Sequence, residues 1–97
     1  MPDPIALRVI TDTGVAIEAQ AVSVVAPGEI GYLGVLKNHA PLVTTLQPGK
    51  LAWRNAAGQS RTAQITEGLL EVSRNRVTVL TRTVSEIGSK EDSWSGI

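Results

Sequence analysis

Leu69 to Leu80 reads LLEVSRNRVTVL, and its alternation is that of a β-hairpin. Leu70 and Val72 oppose Glu71 and Ser73, and after Arg74 and Asn75 the pattern resumes with Val77 and Val79 against Arg76 and Thr78. Side chains point to opposite faces along a strand, so each arm has one dry and one wet face. A two-residue connection with asparagine in second position suits the hairpin turns that require positive φ.

The same punctuation continues outward on both sides. Short runs of Val, Ile, Leu and Thr bounded by turn residues predict strands near 5–11, 15–18, 20–26, 33–36, 42–45, 50–54, 61–66, 69–73 and 76–82. The turns fall at Asp12-Thr13-Gly14, Pro27-Gly28, Pro48-Gly49, Asn55 to Gly58 and Arg74-Asn75. Leu51 and Trp53 oppose Lys50 and Arg54, and Ala63 and Ile65 oppose Thr62, Gln64 and Thr66, so these strands also carry one apolar face. VAIEAQAVSVVA, residues 15–26, has Ala, Glu and Gln that also suit a helix; its context favours strands. The pattern is that of an all-β sandwich over residues 1–84. From Ser85 the polar SEIGSKEDSWSGI, residues 85–97, is unpatterned and is expected to be mobile or ordered only by a neighbour.

Composition removes several functions. Ninety-seven residues make one small domain. Nine basic and nine acidic side chains cancel, leaving no net field to hold a nucleic acid. With no cysteine there is no disulfide framework and no thiolate zinc site. No segment approaches the roughly 20 apolar residues that span a bilayer as a helix, so direct membrane insertion is not expected. One Tyr, two Trp and no Phe provide no stacking platform for bases or sugars.

Candidate chemistry is equally sparse. His39 is the only histidine; it has no nucleophile signature beside it and cannot alone supply the imidazoles of a typical catalytic zinc site. Its ordinary place is a loop, with its ring bonded to backbone and Pro41 setting the approach to the next strand. GEIGYLG, residues 28–34, lacks the Gly-Lys-Ser/Thr of a phosphate loop, so its glycines read as turn formers. The residues alone predict a β-sandwich with no catalytic set, no metal site and no cofactor, whose work is binding. A peptide- or sugar-binding module and a compact hydrolase using His39 with a carboxylate are the rival readings.

Two blocks carry a resemblance. GYLGVLKNHAPLVTTLQPGKL, residues 31–51, resembles the signature of the epsilon subunit of F-type ATP synthases (delta in mitochondria), in which a Gly-x-x-Gly-aliphatic turn leads to His-Ala-Pro-Leu, an aliphatic-Thr pair and Pro-Gly. TEGLLEVSRNRVTVL, residues 66–80, resembles the family's Gly-Gly-aliphatic-aliphatic-Glu-Val hairpin. The likeness covers about residues 5–84. It departs at Lys37 and Asn38, where Pro and often Gly precede the histidine, at Tyr32, a frequent acidic position, and at Glu67, in place of a glycine. Nothing after Val84 resembles the helical hairpin common in the family.

The resemblance implies a ten-stranded sandwich of two mostly antiparallel sheets. It also implies a non-catalytic rotor part in the central stalk, clamping the gamma subunit and resting on the c ring, peripheral on the cytoplasmic face of a bacterial inner membrane or an equivalent energy-transducing membrane. His39, Thr44 and Thr66 would face gamma; Glu29, Ile30 and Tyr32 would face the c ring. ATP binding by this chain is not expected.

Overall fold

In a computed structural model, which describes residues 4–90, the chain forms ten strands and no helix among the described residues. They are β1 (Ile5–Thr11), β2 (Gly14–Ala21), β3 (Ser23–Gly28), β4 (Gly31–Leu36), β5 (Leu42–Leu46), β6 (Gly49–Arg54), β7 (Ser60–Ile65), β8 (Gly68–Ser73), β9 (Arg76–Thr81) and β10 (Val84–Lys90).

Hydrogen bonding follows one path, β10-β7-β6-β3-β5-β8-β9-β1-β2, with β4 paired to β3. Only β1 and β9 run parallel. β3 and β5 meet at a single pair, Gly28 with Leu46, and there the path folds into two layers. One layer holds β4, β3, β6, β7 and β10; the other holds β5, β8, β9, β1 and β2. Their inward faces supply a core that is aliphatic but for Trp53: Val24, Ala26, Val35, Leu51, Trp53, Ala63 and Ile65 from the first, and Ile5, Leu7, Val9, Leu46, Leu70, Val72, Val77 and Val79 from the second. Every inward residue expected from alternation in β6, β7, β8 and β9 is buried.

The β8–β9 hairpin forms as the sequence predicts. Arg74 and Asn75 turn the chain with φ of 53° and 60°, both in the left-handed region. Gly68 opens β8 where no side chain fits, because a Cβ there would run into the Leu80 carbonyl.

Four boundaries move. β2 runs unbroken to Ala21 and the chain bends at Val22, since β2 pairs along the whole of β1 with only a register shift at Val9/Ile10. Pro27 and Gly28 lie inside β3, and the reversal occurs at Glu29-Ile30, flanked by the Gly28–Gly31 pair. Gly49 begins β6 rather than ending a turn. The fourth concerns the carboxy-terminal stretch: Ser85 to Lys90 continue β10, which pairs antiparallel with β7, so the tail does not begin at Ser85. Its alternation is masked by Gly88 and a register shift between Glu86 and Gly88, and β10 is the tenth strand that residue patterning missed. The remainder of the expected tail, 91–97, lies outside the described residues.

Candidate interaction surfaces

The strand directions define two ends. β3, β5, β7 and β9 finish at one end and β4, β6, β8 and β10 begin there, which gathers the turns at Glu29-Ile30, Gln47-Pro48, Thr66-Glu67 and Arg82-Thr83. The opposite end carries the 37–41 loop, the Asn55–Gly58 turn and Arg74-Asn75.

At the first end Ile30 is 101% exposed at the tip of its turn. The turn beneath it is tied down by Thr45 of β5 and by Gln47 just past the strand. Thr45 Oγ1 donates to the Glu29 carboxylate, Gln47 Nε2 donates to Gly28 O at 3.0 Å, and Gln47 N donates to Pro27 O at 2.9 Å. Tyr32 lies on the outward face of β4, 62% exposed, and its hydroxyl accepts from Lys50 N at 3.5 Å. Glu29, Ile30 and Tyr32, expected to share one surface, are thus together, although the Glu29 carboxylate is already engaged within the chain.

Thr66 sits at this same end, and its hydroxyl is fully committed. A hydroxyl has one proton and two lone pairs. Thr66 Oγ1 accepts from Arg82 N at 3.1 Å and Thr83 N at 3.2 Å, and shares its remaining bond with Thr81 Oγ1 at 2.8 Å. Thr81 Oγ1, on a buried polar residue, in turn donates to Thr66 O at 3.0 Å. The pair stitches the β7–β8 corner to the β9–β10 corner.

His39 is at the other end, half-buried. His39 N donates to Leu36 O at 3.1 Å, closing a turn whose third residue, Asn38, has φ 66°. That is where a type II turn calls for Gly or Asn, and it explains why Asn38 can stand at a glycine position. His39 Nδ1 lies 2.7 Å from Ala40 O. A carbonyl only accepts, so Nδ1 carries the proton, and the expectation of a ring bonded to backbone is met. Thr44 lies between the ends, on the inward face of β5 and opposite buried Leu70, half-exposed because most of β5 has a strand on one side only. His39, Thr44 and Thr66 therefore follow the β5–β8 pair from one end of the sandwich to the other rather than forming one cluster.

Two features escaped sequence reasoning. Asn75 reaches across to the 37–41 loop: Asn38 N donates to Asn75 Oδ1 at 2.6 Å, and Asn75 Nδ2 donates to Asn38 Oδ1 at 3.3 Å. On the outer face, Leu69, Leu80, Ile10 and Val15 align in register across β8, β9, β1 and β2 as an apolar row. Alternation places Leu69 and Leu80 outside, but the row depends on the parallel β1–β9 pairing, which no local pattern reveals.

Among the described residues no group of three His, Asp or Glu could hold a metal ion. A shallow groove on the outer face is lined by Arg8, Glu18, Gln20, Arg76 and Thr78, and holds no histidine. Arg8–Glu18, Arg61–Glu86 and Arg82–Glu67 pair at 3.0–3.3 Å on exposed surface, where such contacts contribute little.

Comparison with known proteins places this architecture. Residues 4–87 match the family described as ATP synthase, Delta/Epsilon chain, beta-sandwich domain. The ATP synthase epsilon chain of Moorella thermoacetica is 37% identical over 89 residues, covering 92% of this chain and 66% of that protein. The epsilon chain of Xanthomonas campestris pv. campestris is 47% identical over 64 residues, covering 66% of this chain and 46% of that one. The chain thus spans between about half and two thirds of the length of these relatives. A chain in the Euglena gracilis mitochondrial ATP synthase, OSCP/F1/c-ring, superposes with a TM-score of 0.79 at 23% identity over 89% of this chain and 55% of that one. One in the Tetrahymena thermophila mitochondrial ATP synthase central stalk and c-ring superposes with 0.68 at 15% identity, covering 86% of this chain and 66% of that one. At these identities the two structures speak to fold.

Proposed function

The chain belongs to the ATP synthase delta/epsilon family, and from that membership we propose that it serves as a non-catalytic central-stalk subunit joining the gamma subunit to the c ring. The observation that carries the reading is the family match over residues 4–87, nearly all of the described sandwich. Ion flow through the ring is passed to the shaft through this domain, which neither hydrolyses nor binds ATP. It works at the cytoplasmic face of an energy-transducing membrane as a peripheral part of the complex. No helix among the described residues is long and apolar enough to cross a membrane.

In this reading Glu29, Ile30 and Tyr32 rest on the ring, while His39, Thr44 and Thr66 face gamma. The positions of Ile30 and His39 at opposite ends of the β5–β8 side support a body bridging two partners. Ile30 and Tyr32 offer apolar surface at one end; His39 offers a polar contact at the other. Thr66, its hydroxyl saturated, would meet gamma through its methyl group, and Thr44 through the open edge of β5. A torque-bearing interface is expected to bury well over about 1,000 Å² in total.

The test is direct binding. Titration of the chain into purified gamma is expected to give a 1:1 complex that His39→Ala weakens and Ile30→Asp leaves unchanged, with the reverse order for capture on isolated c rings. Absence of a gamma complex by both calorimetry and size-exclusion chromatography would overturn the reading.

A further inference from the structure

The Asn38–Asn75 pair joins two segments 37 positions apart in sequence, and it sits immediately before His39. Three constraints converge on Asn75. Its backbone is held in the left-handed region at φ 60°, its carbonyl accepts from Ala6 N at 2.9 Å, and it closes the two-residue β8–β9 hairpin turn. Its side chain is consequently presented from a fixed base. It both accepts from the Asn38 backbone and donates to the Asn38 amide oxygen, at 2.6 and 3.3 Å. Asn38 in turn is the φ 66° residue of the Leu36–His39 turn. A residue restrained in backbone and side chain determines where the next residue begins, and here the next residue is His39.

We propose that Asn75 is a positioning residue for His39. The two-asparagine clamp holds the 37–41 loop so that the imidazole keeps Nδ1–H on the Ala40 carbonyl and leaves Nε2, which has no hydrogen-bond partner among the described residues, as an acceptor for a donor on the partner. This deepens the proposed gamma contact and rests on it only for the identity of that partner. The clamp itself is a property of the isolated chain. Where glycine would give the turn its φ without a side chain to anchor, Asn38 gives the same φ and an amide that Asn75 can grip.

A single histidine makes the test clean, because the imidazole nitrogen signals of the ¹⁵N-labelled chain belong to His39 alone. Long-range ¹H–¹⁵N spectra of the neutral ring are expected to show the proton on Nδ1. Asn75→Gly keeps the positive φ without strain and removes the clamp; its spectrum should move to an average of the two tautomers, and its affinity for gamma should fall about five- to tenfold, the size of one lost hydrogen bond. Asn75→Asp retains the acceptor for Asn38 N–H and should keep most of the Nδ1–H form. If Asn75→Gly folds, by circular dichroism, with an unchanged imidazole spectrum, the clamp does not position His39 and the proposal is overturned. A changed spectrum with unchanged gamma affinity upholds the clamp and instead overturns the placement of His39 against gamma. Adding gamma to the labelled parent chain should shift Nε2 and leave Nδ1 in place; a shift of Nδ1 alone contradicts the acceptor role.

Discussion

The two ends of the sandwich commit polar side chains to the chain itself, and they differ in what they leave over. At the Ile30 end several polar side chains are committed within the chain: Thr66 with Thr81 and the Arg82 and Thr83 amides, Thr45 with Glu29, Gln47 with Gly28. Ile30 and Tyr32 add exposed apolar surface there, beside the exposed Arg82–Glu67 pair. At the His39 end the internal bonds hold the loop through Asn38 and Asn75 and leave one ring nitrogen without a partner among the described residues. Exposure alone therefore does not identify an interacting residue. Thr66 and His39 are both half-buried, yet of the two only His39 keeps a polar atom without a hydrogen-bond partner among the described residues.

The largest effects should come from the core that both ends share. Leu70 is 0% exposed and opposite Thr44 and Val79. Leu70→Ala is expected to cost about 2–5 kcal/mol, through lost burial and a residual cavity, as measured by denaturant unfolding. An unchanged midpoint would mean that the inward face of β8 is misassigned. Gly68→Ala should cost about 1–3 kcal/mol or more, because its methyl group meets backbone rather than a side chain that can swing away.

The next pair of substitutions sets one threonine against another. Thr66→Val preserves shape but strips the Arg82 and Thr83 amides and the Thr81 hydroxyl of their shared partner, an expected loss of about 1–3 kcal/mol. Thr44→Val, whose hydroxyl makes only a 3.4 Å bond to the Thr45 carbonyl, should change stability by about 0.5 kcal/mol or less. Equal losses from the two variants would remove the distinction drawn between them.

The smallest stability effect is expected at the tip. Ile30→Asp places a charge on a side chain that touches nothing it needs, so thermal unfolding should shift by the equivalent of about 0.5 kcal/mol or less. A larger loss would show that Ile30 supports the turn. Calorimetric titration with ATP should give no heat at micromolar ligand, as expected of a chain without a phosphate loop.

Much of the fold was legible from alternation. LLEVSRNRVTVL declared its own hairpin, and Leu51, Trp53, Ala63 and Ile65 declared their inward faces, because a half-buried strand imposes a period of two on its residues. β10 was not legible, since a short polar edge strand containing Gly88 has little apolar face to betray it. Glu29-Ile30 was hidden as a turn by the stronger signal of Pro27-Gly28 next to it, where the glycine serves close strand approach instead. The blocks around His39 and Gly68 pointed to the family, but the saturation of Thr66 and the reach of Asn75 to Asn38 arise between segments distant in sequence. Such contacts leave no periodic trace.

Whether this domain couples the ring to the shaft is measured most directly by ion-driven ATP synthesis, in vesicles reconstituted with an ATP synthase that carries this chain as its epsilon subunit. Ile30→Asp combined with Tyr32→Asp, shown folded by circular dichroism, is expected to leave gamma binding intact and to lower the synthesis rate by weakening contact with the ring. Assembly and synthesis equal to those of the parent chain would contradict the coupling role, because the Ile30 end would then carry neither docking nor torque.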